Sequence, residues 1–290
     1  MPHLPENVLR CPVCAVGMEL STAGRTLGCA SGHRFDAAKQ GYFNLLTGRG
    51  TAFQPDTAAM VQARTDFLGA GHYDRLRDTV SALAQRQIAA PRVILDAGAG
   101  TGYYLHGLRR GHQDTALLAL DISKFALRRA ARLLDDDGVC LVWDVWRPLP
   151  IQDGVVDLLT NIFAPRNPEE FHRVLRPDGV LVVVTPLPGH LAEIADDAGL
   201  LEVPEDKAGG VSATLAGLFH EIEAVAVDYQ LRLSRADVYN AALMGPAGHH
   251  LDPVGLSARL AGLPEWTAAS ARFTVQVFRR SAGSATLADL

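Results

Sequence analysis

The chain has 290 residues, 48% hydrophobic and 20% charged, which suits one large globular domain or a main domain with a small appendage. No apolar stretch is long enough to span a bilayer, and Met1 to Arg10 lacks an apolar signal region, so a cytoplasmic protein with no membrane partner is expected. A net charge of −5 does not mark a nucleic-acid binder overall, yet residues 1–50 carry five basic side chains against three acids, leaving −7 for the rest.

Three of the four cysteines crowd near the N-terminus, which favours metal over disulfide. Cys11, Cys14, Cys29 and His33 follow a C-x2-C-x14-C-x3-H spacing, fitting a closed tetrahedral zinc site of structural type. The residues between, Met18 to Leu27, can form a hairpin turning at Ala23-Gly24. A ribbon so small has little core of its own, so metal should supply most of its folding free energy. Phe35 to Leu46 leaves the ribbon, and Gly48-Arg49-Gly50 reads as a flexible loop. Thr57 to Leu68 looks helical, with Asp56 or Thr57 as N-cap. Ala70-Gly71-His72-Tyr73 breaks it, and Tyr73 to Gln87 is helical again.

The centre of the chain is Val93 to Gly102. An apolar run ends in Asp96, and glycines follow at 98, 100 and 102 before the periodic residues Tyr104, Leu105 and Leu108. This reads as a buried parallel strand, a tight turn and a helix start. A dinucleotide fingerprint would need a third glycine at position 103, which is Tyr103. The acid-x-G-x-G-x-G pattern resembles motif I of class I S-adenosylmethionine (SAM) methyltransferases. Asp121 closes the next apolar run, 25 positions after Asp96, where a carboxylate would reach ribose hydroxyls. Lys124 to Leu134 should be a helix. Val139 to Trp143 suggests a third strand ending in Asp144, placed to accept from an adenine amino group or to cap the following turn. Trp143 and Trp146 flank it, for stacking or for the core. Cys140, inside that strand, reads as a small buried hydrophobe.

Val155 to Phe163 suggests a fourth strand, whose end carries Asn161 and Phe163-Ala164-Pro165 where substrate-facing residues belong. Asn167 with Pro168 starts a helix, and the valines of Gly179 to Thr185 suit a strand buried on both faces. Glu223 to Leu233 and Ala271 to Arg279 resemble a final antiparallel pair, with helices Arg235 to Leu243 and Pro253 to Ala261 between. Ser281 to Leu290 reads as a frayed tail. The domains expected are a ribbon at 1–46, a linker with lid helices at 47–90, and an α/β methyltransferase domain at 91–280, a seven-stranded, mostly parallel Rossmann-like sheet.

Further motifs occur in one order along the chain: Gly32-His33-Arg34-Phe35-Asp36, Lys39 to Leu46, Met60 to Arg64, Gly71-His72-Tyr73, Asn161 to Asn167, and Val184-Thr185-Pro186 with His190-Leu191. Together with the ribbon they resemble the bacterial 23S ribosomal RNA guanine-N1 methyltransferases, including the tylosin- and mycinamicin-type macrolide-resistance enzymes. The resemblance runs from Cys11 to about Phe278. It implies SAM as cofactor, a 23S RNA hairpin as partner, a homodimer, and Tyr73 and His190 as cofactor contacts beside Asp96, Gly98, Gly100, Thr101, Gly102, Asp121 and Asp144. Asn161 is the candidate for orienting the base. Arg25, Arg34, Lys39 and Arg49 are the phosphate-contact candidates, with Tyr42 and Phe43 either stacking on a base or packing in the core. Two other readings stay open: a methyltransferase acting on a small molecule or a protein, and a zinc-ribbon binding protein without activity.

Overall fold

A computed structural model describes residues 4–48, 50–110, 115–201, 203–204 and 207–281. The ribbon is a four-stranded antiparallel sheet: β1 (Leu9–Arg10), β2 (Gly17–Leu20), β3 (Thr26–Cys29) and β4 (Arg34–Asp36). Its hairpin register pairs Met18 with Cys29 and Leu20 with Leu27, which puts Met18 and Leu27 on the inner face. After β5 (Tyr42–Asn44) the chain enters α1 (Ala58–Gly69) and α2 (Asp74–Gln87). Thr57 caps α1 by accepting from the Met60 N–H, while Asp56 pairs instead with Arg64.

The main sheet then alternates as anticipated: β6 (Val93–Ala97), α3 (Tyr103–Arg109), β7 (Ala116–Asp121), α4 (Lys124–Leu134), β8 (Gly138–Val142), β9 (Val156–Ile162), α5 (Pro168–Val174) and β10 (Leu175–Pro186). Short helix α6 (Ala195–Ala198) and α7 (Lys207–Leu215) precede β11 (Phe219–Ser234), and α8 (Arg235–Met244) and α9 (Pro253–Leu260) precede β12 (Trp266–Arg280). The strand order is β11-β12-β10-β9-β6-β7-β8-β5. The seven expected strands are present, with β11 and β12 longer than their apolar runs suggested. The eighth, β5, pairs in parallel with β8, Tyr42 beside Cys140 and Asn44 beside Val142. The final residues 282–290 of the anticipated tail lie outside the described residues.

Alternation along the buried strands feeds two cores, one on each face. Ile94, Val180, Val182 and Val184 face the helices α1, α2, α3, α4, α8 and α9. Val93, Leu95, Leu181 and Val183 face the other layer, which holds α5, α7 and the ribbon. The ribbon is therefore no free appendage. Leu9, Met18 and Leu27 are fully buried in the same core as Leu149, Ile151 and Phe43, and Arg10 N–H donates to the Pro150 carbonyl at 3.0 Å. Burial of each such side chain stabilises by about 1.5–3 kcal/mol, so the ribbon draws stability from this shared core in addition to what a metal supplies. No helix among the described residues is long and apolar enough to cross a membrane.

Candidate active site and metal centre

Cys11, Cys14, Cys29 and His33 converge, with their ligand atoms all within 4.8 Å of one another. Cys14 Sγ and Cys29 Sγ are 3.7 Å apart, and His33 Nδ1 lies 3.7 Å from Cys11 Sγ and 3.4 Å from Cys29 Sγ. Thiolates bound at about 2.3 Å to one tetrahedral zinc sit about 3.8 Å apart, so the set fits the metal. The thiolate is the ligand form, and the Val16 backbone N–H is the main influence holding the Cys14 thiol down to about 6.

The candidate cofactor residues gather at the carboxyl ends of β6 to β9. Gly98, Gly100 and Gly102 all take positive φ, at +93°, +53° and +80°, a region that only glycine enters freely. A Cβ on Gly98 would stand 2.2 Å from Ala164 Cβ, and one on Gly102 3.1 Å from Ala130. The turn is thus pressed between the loop after β9 and helix α4. The Gly100 N–H donates to Asp121 Oδ2 at 2.8 Å, and the Ser123 N–H to Oδ1 at 2.7 Å. These bonds fix Asp121 while leaving its oxygens further acceptor capacity. Burial nevertheless raises its carboxyl above the usual range.

Asp96 sits beneath the turn, fully buried, and accepts from Thr160 Oγ1 at 2.8 Å. Burial pushes it up to about 7, the Thr160 bond working in the opposite direction. Asp144 is also buried; it accepts from the Trp146 N–H at 3.0 Å, as a turn-capping acid would, and from Thr51 Oγ1 at 2.8 Å. Thr51 belongs to a strap, 50–57, that crosses this end of the cleft: Arg147 donates to the Gly50 carbonyl, and Ser123 Oγ to the Asp56 carbonyl at 3.0 Å. Sequence reasoning missed this strap because nothing in its composition announces where it lands. Trp143 is buried, whereas Trp146 is half exposed and tilted against Phe53.

Tyr73 and His190 come together although 117 positions apart, Oη to Nε2 at 3.1 Å. The Arg272 N–H donates to His190 Nδ1 at 3.1 Å, so in the neutral ring Nε2 carries the proton and donates to Tyr73. Burial raises the Tyr73 phenol well above its ordinary range. Phe273 packs edge-on against Tyr73, with centroids 4.9 Å apart.

Asn161 is fully buried. Its Nδ2 donates to the carbonyls of Ala97 at 2.9 Å and Pro165 at 2.8 Å, buckling the β9 loop to the end of β6. That amide nitrogen is spent on positioning the loop. Nearby, Phe163 is 44% exposed with φ +54°, its ring 6.3 Å from Tyr104 and 5.5 Å from Phe273. Asn161 Oδ1 and Tyr104 Oη are buried without a partner among the described residues. A site with idle buried polar atoms, bent glycines and a fixed acid suits a ligand bearing ammonium, carboxylate and ribose groups.

On the ribbon, Arg25, Arg34 and Lys39 are exposed. Arg25 is partly engaged, donating to the carbonyls of Ala37 and Ala38 at 3.3 and 3.1 Å. Arg49 lies outside the described residues. Phe43 is a core side chain, and Tyr42 packs against the core as well. Cys140 is buried as anticipated, its thiol pushed up to about 12.

A strand-end acid, a glycine turn, a second-strand carboxylate and the final antiparallel pair on a mostly parallel sheet define a class I SAM-dependent methyltransferase. Residues 94–179 match the family described as methyltransferase domain, and residues 9–48 the family described as RlmA, N-terminal, a zinc ribbon. A solved Bacillus halodurans chain described as a methyltransferase shares the fold, with TM-score 0.51 and 13% identity over 70% of this chain and 99% of that one. The 23S rRNA (guanine(748)-N(1))-methyltransferase of Streptomyces fradiae is 43% identical over 258 residues, covering 88% of this chain and 91% of the relative. A Micromonospora griseorubida relative, provisionally named as a 23S rRNA (guanine-N(1)-)-methyltransferase, is 43% identical over 91% of this chain and 93% of its own. The chain belongs to the family of 23S rRNA (guanine-N1)-methyltransferases, with SAM as cofactor and a structural zinc.

Proposed function

We propose that the protein methylates N1 of a guanine in a hairpin of 23S ribosomal RNA. The observation that carries this reading is the 43% identity to the Streptomyces fradiae enzyme along 88% of the chain, ribbon and catalytic sheet together. When bound, the cofactor's sulfonium supplies the methyl group. The chain's own residues bind and orient: the glycines at 98, 100 and 102 with Thr101 shape the seat for the methionyl part, and Asp121 receives the ribose hydroxyls. Asp144 takes the adenine amino group beneath the strap, Asp96 supports the turn from below, and Tyr73 with His190 closes the helical side. Asn161 holds the β9 loop in place, and Phe163 offers a face to an unstacked base. Methyl transfer of this kind depends chiefly on in-line positioning.

Arg25, Arg34 and Lys39 on the ribbon, with Arg49 shortly after it in sequence, supply phosphate contacts, since the remainder of the chain carries −7 and repels RNA. Two chains act together, so that two ribbons line one cleft. The biological role is protection against a macrolide. Mapping of methylated bases by primer extension, after incubating 23S RNA with protein and SAM, tests the reaction. A single guanine-N1 stop is expected, and no stop alongside methylation of another substrate would overturn it.

A further inference from the structure

Of the half-buried guanidiniums, Arg64 has Asp56, Arg77 has Asp74 and Asp78, and Arg173 has Glu170 and Asp153, while Arg147 and Arg280 donate to the carbonyls of Gly50 and Leu175. Among the described residues Arg166 has neither an acid nor a carbonyl. Its Nε is shut away from solvent with nothing to donate to, and burial alone pulls its guanidinium below the usual arginine range. An unpartnered buried donor costs about 1–3 kcal/mol, more when charged, and among the described residues no hydrogen bond to Nε offsets it.

The loop carrying Arg166 is held on both sides. Asn161 Nδ2 binds the Pro165 carbonyl, Ala164 presses on Gly98, and Asn167 Nδ2 donates to the Val145 carbonyl at 3.0 Å. Arg166 therefore stands at the carboxyl end of β9, beside the cofactor turn, three positions after the exposed ring of Phe163. An aromatic face and a guanidinium fork are what recognition of an unstacked guanine needs: the ring for its face, and two parallel N–H groups for O6 and N7.

We infer that Arg166 is a substrate-contacting residue whose guanidinium meets O6 of the target guanine and steadies the negative charge gathering there as N1 loses its proton. The inference rests on the guanine-N1 reading above. The N1–H bond breaks and its proton leaves to water. The electron pair left behind, shared between N1 and O6, forms the new N–CH3 bond as the S–CH3 bond breaks and its pair stays on sulfur. A neutral base and a cationic sulfonium thus become a neutral methylated base, a neutral thioether and one solvent proton. Arginine has no acceptor and cannot take the proton; its contribution is a fixed charge in a desolvated place.

The test compares the full chain with Arg166→Gln and Arg166→Lys on the 23S hairpin, from neutral to about pH 9.5, with SAM and RNA affinities measured separately by calorimetry. Arg166→Gln should lower kcat about a hundredfold at neutral pH, and the gap should narrow as alkali ionises the base unaided. Arg166→Lys should keep part of the rate, and SAM affinity should stay within about twofold in both. A tenfold loss of SAM affinity with an unchanged melting curve would assign Arg166 to the cofactor carboxylate and overturn the inference. So would a kcat deficit equal at every pH, or a loss of RNA affinity alone. Failure of the unmodified protein to methylate any 23S guanine-N1 would instead defeat the reading on which the inference rests.

Discussion

Gly98 shows how tightly single residues shape the cleft. Alanine there meets both a φ of +93° and a Cβ 2.2 Å from that of Ala164, so Gly98→Ala should cost about 1–3 kcal/mol of stability and weaken SAM binding. Adding Ala164→Gly should recover the steric part only, a split that urea unfolding of both variants would read. At Asp121 the expected loss is in affinity: Asp121→Ala should weaken SAM by about 1–3 kcal/mol, and unchanged calorimetry would remove the ribose from that carboxylate. Asp96 predicts a pH effect. Its pKa in the fold is about 7, raised chiefly by burial from an unfolded value near 4. The folded chain then holds an extra proton between about pH 4 and 7, so this group's stabilising contribution is complete at the acid end and fades as pH rises through 7. Relative to Asp96→Asn, the cofactor-free protein should lose stability between about pH 5 and pH 7.5; an unchanged difference over that range would mean that Asp96 is already ionised in the fold.

Elements announced themselves in proportion to how far their burial or capping was local. The strands β6, β7 and β9 read as apolar runs, and Thr57 and Asn167 with Pro168 marked helix starts. Helix α7 escaped because Gly209 and Gly210 lower its propensity. β5 escaped because three residues beyond a ribbon carry no signal of a partner about a hundred positions away. Asn161 showed its place near the site but not its direction, since a buried amide and a cleft-facing one look alike in sequence. Phe163, with Ala164 and Pro165, is expected at a substrate-facing strand end; its left-handed backbone and exposed ring have no signal in the sequence. The position of β5 also bears on how the ribbon can be tested. A chain beginning near Thr51 would lose Leu9, Met18, Leu27 and Phe43 from the core and should not fold. Arg34→Glu with Lys39→Glu is the sounder probe: both side chains are exposed, so RNA methylation should fall about tenfold or more while SAM affinity stays unchanged. Equal methylation would take these two residues out of RNA contact.

At the scale of the whole molecule, ribbon and catalytic sheet share one core, so zinc removal should appear as a single cooperative transition moved to lower temperature. Metal analysis should find about one equivalent per chain, and a separate early transition during chelation would show the ribbon melting alone. The three residues of β5 cover Cys140 to Val142 of β8, which would otherwise present free N–H and C=O groups at the sheet's edge. An open edge is a template for another chain's strand. Losing the metal loosens the ribbon that leads into β5, and what this uncovers is adhesive. A zinc-starved preparation should therefore leave solution as aggregates, with light scattering rising alongside chelation, before its remaining soluble fraction shows any fall in turnover. In this fold the metal acts as a guardian of solubility.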